Sequence, residues 1–280
     1  MGKKLIITAA LCGAGTKRSQ TPYVPITPEE IANDAIACAK AGAAVIHIHI
    51  RDAEGNNTME TDRWIEVVNL VRQKMKEEGV DLVLNLTSSG SKFPEDMRRA
   101  HLPILLPEMC SYDPLSMNWA NSYIFTNSPQ FLEKLGLETQ ELGIKPECEI
   151  FNGGDMANVD YYVKKGILKA PVHYQFMLGV TGGMPGTAEA FSYLVPKMQP
   201  GSTWSTSGIG RWHMPCILHG LAMGCDGLRV GLEDNILLEK GVLATNVQLV
   251  ERTIRIAKEA GREIATPEEA RQILGLVKHM

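Results

Sequence analysis

Two histidines stand two residues apart in the run Val45-Ile46-His47-Ile48-His49-Ile50-Arg51-Asp52. In an extended strand successive side chains alternate between faces, so His47 and His49 project together while the isoleucines take the other side. Two neutral imidazoles on one face are half of a zinc site, lacking a third protein ligand and an open position. The competing reading is a pair of core histidines hydrogen-bonded to polar neighbours. A partner for the metal reading stands in Leu228-Arg229-Val230-Gly231-Leu232-Glu233-Asp234-Asn235. Alternation puts Arg229, Gly231 and Glu233 on one face. In a closed sheet the last strand returns to the first, so Glu233 can reach the histidines and is the expected third ligand. Glu233 and Asp234 could instead cap a helix that begins near Asn235.

Further polar groups lie at or beyond the ends of apolar runs: Thr87-Ser88-Ser89-Gly90, Glu108, Glu149, Thr181-Gly182-Gly183 and Ser207-Gly208-Ile209-Gly210. The C-terminal ends of parallel strands are where a barrel keeps its chemistry. Gly13-Ala14-Gly15-Thr16 and Gly182-Gly183-Met184-Pro185-Gly186 either turn the chain or meet an anionic ligand, and neither matches a P-loop or a dinucleotide fingerprint. His213 and His219 read as structural residues at the entrance of a helix. His173 could face the interior from its strand.

The elements that must position these groups alternate from end to end, as βα units do. Strand candidates are 4–10, 44–50, 82–86, 103–107, a weaker 123–126, 148–151, 172–178, 203–206 and 227–231. Helix starts are marked by Thr27-Pro28-Glu29-Glu30, Ser128-Pro129, Thr187 and Thr266-Pro267-Glu268-Glu269, each with a capping hydroxyl. The expected fold is a (β/α)8 TIM barrel in a single domain, 1–280, with one strand candidate spurious or accessory. A C-terminal helical extension from Asn246 is expected, available to pack between subunits. The length fits the ~250 residues typical of such a barrel.

Composition excludes several classes. The 280 residues are 44% hydrophobic and 21% charged, which rules out a disordered or fibrous chain. Lys and Arg total 28 against 32 Asp and Glu, a net charge of −4, so no global basic field exists for nucleic acid. Cys12, Cys38, Cys110, Cys148, Cys216 and Cys225 are scattered without a CxxC pair, which suits reduced thiols and a cytoplasmic setting. The opening MGKKLIITAA reads as a first strand rather than a signal peptide, and no apolar run is long enough to span a membrane.

Taken in order, Ile6 with Thr8-Ala9-Ala10, the His47–Asp52 run, Leu106-Pro107-Glu108-Met109, Pro146-Glu147-Cys148-Glu149, and the segments 178–186, 208–215 and 231–235 resemble the β-keto acid cleavage enzymes over essentially the whole chain. The resemblance implies a barrel and a zinc ion held by His47, His49 and Glu233. It implies reaction of a β-keto acid with acetyl-CoA to give acetoacetate and a new acyl-CoA, in a homotetramer. The family's catalytic arginine and aspartate fall on Arg229 and Asp234, and its assisting glutamate on Glu149. Substrate-binding hydroxyls fall on Thr87 and Ser111, with the loop glycine at Gly90. A metal there would stabilise the enolate formed when the carbon between carboxylate and ketone loses a proton. Asp234, oriented by Arg229, would be the base for a Claisen condensation followed by its reverse.

One departure bears on substrate. Members acting on an amino-bearing substrate carry a glutamate in the loop after the first strand, where this chain has Gly15, followed by Lys17 and Arg18. A neutral or acidic β-keto acid is therefore expected. The alternative activity is a metal-dependent aldolase or hydrolase working without CoA. A noncatalytic binding barrel would have lost at least one of His47, His49, Arg229, Glu233 and Asp234, and all five are present.

Overall fold

The computed structural model describes residues 3–279. Eight parallel strands close into a barrel: β1 (Ile6–Ala10), β2 (Val45–Ile48), β3 (Val83–Leu86), β4 (Met109–Tyr112), β5 (Lys145–Ile150), β6 (His173–Leu178), β7 (Thr203–Gly208) and β8 (Gly227–Val230). Each lies beside its chain neighbours, and β8 returns to β1. The helices are α1 (Pro28–Lys40), α2 (Thr61–Glu78), α3 (Leu102–Leu105), α4 (Pro129–Leu142), α5 (Gly153–Lys164), α6 (Ala188–Leu194), α7 (His213–Ala222), α8 (Asn246–Glu259) and α9 (Pro267–Leu274). The hydroxyls of Thr27, Ser128, Thr187, Thr245 and Thr266 each accept an orphan amide of the first turn. Such caps are worth about 1 kcal/mol each and fix where the loops end.

The strands are buried on both faces. Outward side chains such as Ile46, Ile48, Tyr174 and Phe176 join the shell of apolar packing under the helices. Inward ones form layers along the barrel axis. At the floor Ile6, Val45, Val83 and Met109 meet Ala265, Ala270 and Leu274. Above them the interior turns polar, with His47, Asn85, Ser111, Glu147, Gln175, Ser205 and Arg229 all buried. This switch from apolar floor to polar lumen is what places chemistry at the C-terminal ends of the strands.

Two expectations, the fourth strand and the place of Glu108, need correction, while the weaker candidate at 123–126 is the accessory strand. The run 103–107 is not the fourth strand: Leu102–Leu105 is one helical turn with Pro103 in its first positions, where a missing N–H costs nothing. Leu106 then turns the chain at a positive φ of 45°, and the strand begins at Met109. The candidate at 123–126 lies in an accessory antiparallel hairpin, Met117–Trp119 with Tyr123–Phe125, above the barrel mouth. Glu108 consequently precedes β4 instead of following a strand. It receives Arg271 Nε at 2.5 Å, and Arg271 also reaches Asp81 at 2.5 Å, so this cluster pins α9 beneath the barrel.

The C-terminal extension is also used within the chain. The helix α8 packs on α1, β1 and β8 as the barrel's eighth helix, and α9 closes the floor. The six cysteines are buried and unpaired, and among the described residues no helix is long and apolar enough to cross a membrane.

Candidate active site

His47 lies within β2, paired in register with Ala10 of β1 and Asn85 of β3, and His49 follows just beyond the strand. Both imidazoles are buried, with ring centroids 5.3 Å apart. Glu233 Oε1 stands 3.7 Å from His47 Nε2 and 3.4 Å from His49 Nε2. One donor atom from each residue lies within 4.8 Å of the others. Burial, with the Arg229 charge nearby, pushes the His47 imidazole down to about 3, so it is neutral at physiological pH and could offer a lone pair to a metal. Burial alone would raise Glu233, but Arg229, His49 and His47 hold its carboxyl well below the usual range. Glu233 Oε2 and both His Nδ1 atoms are buried without a hydrogen-bond partner. Asn85 gives its amide to Glu147 at 2.7 Å, and its carbonyl oxygen has no partner of its own beside the His47 ring. That oxygen can accept Nδ1–H and leave Nε2 free for a metal, the way a ligating histidine is usually oriented. Two histidines, one ionised carboxylate and an unfilled carboxylate oxygen fit a divalent cation of the catalytic zinc type.

The backbone brings Glu233 there through Gly231. Its φ is +146°, and a Cβ on it would run into the Ala10 carbonyl oxygen of β1. Only glycine lets β8 approach β1 this closely while turning toward the histidines. From the other side Arg51 clamps the loop after β1, donating to the carbonyls of Cys12, Gly13 and Thr16 at 2.6–2.9 Å.

Arg229 is the hub of the polar lumen. Its guanidinium reaches Glu233 Oε1 at 2.5 Å, Glu149 Oε1 at 3.1 Å, and Asp234 through Nε at 3.0 Å and Nη2 at 3.1 Å. One buried cation thus faces three carboxylates, an excess of negative charge that favours a further cation in the site. Asp234 Oδ2 also accepts from Ser207 Oγ at 2.6 Å. Burial, together with the charge of Glu233, raises Asp234 above the ordinary aspartate range despite Arg229. A raised, fixed carboxylate at the end of a strand is suited to taking a proton from carbon.

A cavity of about 690 Å³ opens over these groups, lined by His49, Glu149, Glu233 and Asp234. Thr87 and Ser111 do not line it. They lie fully buried behind its wall, 3.3 Å apart, and hold the loop after β3 through amide bonds from Ser89 to Thr87 and from Ser88 to Ser111. Gly90 does line the cavity, where a Cβ would collide with Met59. Sequence reasoning missed the wall residue Asp113, which Ser89 of the expected polar segment joins by a 2.5 Å hydrogen bond across 24 positions. Burial pushes Asp113 and Glu149 up; the Asp113 carboxylate raises Glu149 further, whereas hydrogen bonds from Ser89 and Glu149 oppose the rise at Asp113, so the proton of the pair sits on Glu149. Nothing in the sequence around Asp113 marked it. Trp119, Phe125 and Phe151 roof the cavity with Met177 and Val180. Lys17 lines the rim, whereas Arg18 is tied to Glu30 of α1 at 2.6 Å.

Residues 4–276 match the family model described as beta-keto acid cleavage enzyme. The chain is 39% identical over 279 residues to a 3-keto-5-aminohexanoate cleavage enzyme of Fusobacterium nucleatum, covering 99% of this chain and 100% of that protein. It is 35% identical to a 3-dehydrocarnitine:acetyl-CoA trimethylamine transferase of Rhizobium meliloti, covering 99% and 98%. Among solved structures, apo ObcA superposes with a TM-score of 0.79 at 23% identity over 91% of this chain and 66% of that one, a likeness of fold.

Proposed function

The chain belongs to the beta-keto acid cleavage enzymes, and from that premise we propose that it transfers an acyl group between a β-keto acid and acetyl-CoA, releasing acetoacetate and a new acyl-CoA. The observation that carries this reading is the convergence of His47, His49 and Glu233 on one point, with Arg229 and Asp234 immediately behind it. His47, His49 and Glu233 would hold a zinc ion, which when bound would supply Lewis-acid stabilisation to the oxygens of a β-keto acid.

Asp234 takes the proton from the carbon between ketone and carboxylate. Arg229 and Ser207 fix the accepting carboxylate, so no reorientation is needed as the proton moves. The carbanion attacks the thioester carbonyl of acetyl-CoA and expels CoA thiolate. The thiolate then adds to the other ketone of the diketo acid, and cleavage of the carbon–carbon bond leaves the acyl-CoA and the carbanion of acetoacetate, which takes back the proton held by Asp234. Glu149, held by Arg229 and carrying the proton of its pair with Asp113, assists by steadying the guanidinium. Ser89 and Gly90 form the substrate-facing part of the β3 loop, with Thr87 and Ser111 positioning it from behind. No protein nucleophile enters, in keeping with buried thiols such as Cys12, pushed up to about 12 by burial. One domain carries all of these groups, and we assign the full length, 1–280, to it.

The substrate tail is proposed to be neutral or acidic. Gly15 brings no carboxylate to the rim, Lys17 adds a positive charge, and the proton on Glu149 reduces the negative charge of the wall. The aromatic roof accommodates an apolar chain. A panel of β-keto acids with neutral, acidic and cationic tails, assayed for acetyl-CoA-dependent acetoacetate release, tests this. The neutral or acidic members should show at least about tenfold higher kcat/KM, a difference of 1.4 kcal/mol. Preference for the amino-bearing substrate would overturn the assignment.

A further inference from the structure

Two glutamates of β5 point into the lumen, and of these Glu149 reaches Arg229 and the large cavity. Glu147, earlier on the strand and 1% exposed, does neither; its Oε2 accepts the Asn85 amide at 2.7 Å. Asn85 is fully buried and pairs in register with His47 on the neighbouring strand, so both side chains face the lumen. We infer that Glu147 is a positioning residue for the metal centre: by fixing which end of the Asn85 amide faces His47, it selects the His47 tautomer whose Nε2 is free for a cation. This role presupposes that His47 is a metal ligand, as the proposed reaction requires.

Three features support this role. An ionised carboxylate offers acceptors only, so the end of the amide beside Glu147 must be its NH2 group; the reverse orientation would bury two acceptor oxygens against each other. Asn85 Oδ1 is thereby left toward His47, and that oxygen and His47 Nδ1 are both buried without any other hydrogen-bond partner. They are complementary when Nδ1 carries the ring proton. On the other side of the ring, Glu233 Oε1 stands 3.7 Å from Nε2, beyond hydrogen-bonding distance, so Glu233 does not hold a proton on Nε2. The Nδ1 side therefore decides the tautomer. Burial lifts Glu147 to about 7, with Arg229 and the Asn85 amide opposing the rise, so at about pH 8 it is mostly the acceptor that this geometry needs.

A merely structural glutamate would tolerate glutamine. The amide of a glutamine at 147 offers both a donor and an acceptor, so it can pair with Asn85 in either orientation and keep the hydrogen bond. What it cannot do is forbid the orientation that turns the Asn85 NH2 toward His47. In that orientation Nδ1 accepts, the proton moves to Nε2, and the ligating lone pair is lost.

Glu147→Gln therefore separates the two roles, on whole protein stripped of metal. In the wild type, ¹⁵N NMR of histidine-labelled protein should show His47 as the Nδ1–H tautomer, its signals identified by their loss in His47→Ala. In Glu147→Gln they should move to a mixture or to Nε2–H. Calorimetric titration with zinc should then show about 10–100-fold weaker binding, the range for loss of a group that orients a ligand. The exchange Asn85→Asp with Glu147→Gln puts a carboxylate beside His47 and the donor at 147; it should return His47 to Nδ1–H and recover most of the zinc affinity. Thermal melting checks each fold, and Asn85→Leu, which removes the acceptor outright, should give the same loss of Nδ1–H if Glu147→Gln does not fold. An unchanged His47 tautomer would overturn the inference even if zinc bound more weakly, because the loss would then report only the missing charge. A shifted tautomer with wild-type zinc affinity would overturn the link to the metal centre. A wild type that binds no zinc would instead sink the metal reading, while the tautomers still decide whether Glu147 orients Asn85.

Discussion

Asp234→Asn should lower kcat for acetyl-CoA-dependent acetoacetate release by about 10²–10⁴-fold, the range for loss of a positioned general base. The amide keeps the size of the carboxylate and can still accept one hydrogen bond from Arg229 or Ser207, which now fix Asp234 Oδ2 at 3.0 and 2.6 Å. Binding of both substrates and of metal should therefore change little. What disappears is basicity. Steady-state kinetics on protein of measured metal content separates these effects: kcat falls while the KM values and metal stoichiometry stay near those of the wild type. Activity undiminished with metal retained would remove Asp234 from the base role. A parallel loss of metal would instead show that Asp234 acts by supporting Glu233.

His49→Ala should abolish both stoichiometric metal binding and turnover, because it removes one of three donors converging on a single point. Loss of several kcal/mol of Lewis-acid stabilisation corresponds to at least about 10³-fold in rate. The charge balance gives this prediction a second readout. With Glu149, Glu233 and Asp234 gathered around the one guanidinium of Arg229, the lumen carries excess negative charge that a divalent cation would offset. Chelation of the wild type should therefore lower its melting temperature, and zinc should restore it. In His49→Ala neither addition should have a comparable effect. Full activity in rigorously metal-free wild type would defeat the metal reading.

How far the sequence carried depended on whether a relation was local or set by barrel closure. His47 and His49 share a face by strand alternation, and Glu233 reaches them because β8 pairs with β1 and β1 with β2. Both steps follow from periodicity and topology. The fourth strand was misread because Pro103-Ile104-Leu105-Leu106 is as apolar as a strand, and periodicity cannot separate four such residues from a helical turn. Pro103, in the first positions of the turn, and Pro107 just beyond it were the available clue. Asp113 was invisible for another reason: it meets Ser89 across neighbouring strands, in a network with no motif. Arg51 belonged to the most conspicuous motif, yet its buried work on backbone carbonyls 35–39 positions away has no sequence signature. The same holds for Glu108, which read as a strand-end acid but joins Arg271 to seal the floor.

The central claim is that carbon from acetyl-CoA becomes part of acetoacetate while the acyl group of the β-keto acid leaves on CoA. Incubating the enzyme with acetyl-CoA labelled with ¹³C at the thioester carbonyl, plus an unlabelled β-keto acid, tests it by NMR. Condensation through Asp234-generated carbanion predicts label at the ketone carbon of acetoacetate and none in the new acyl-CoA. Acetoacetate without label, label retained in the acyl-CoA, or product formed equally without acetyl-CoA would contradict the account.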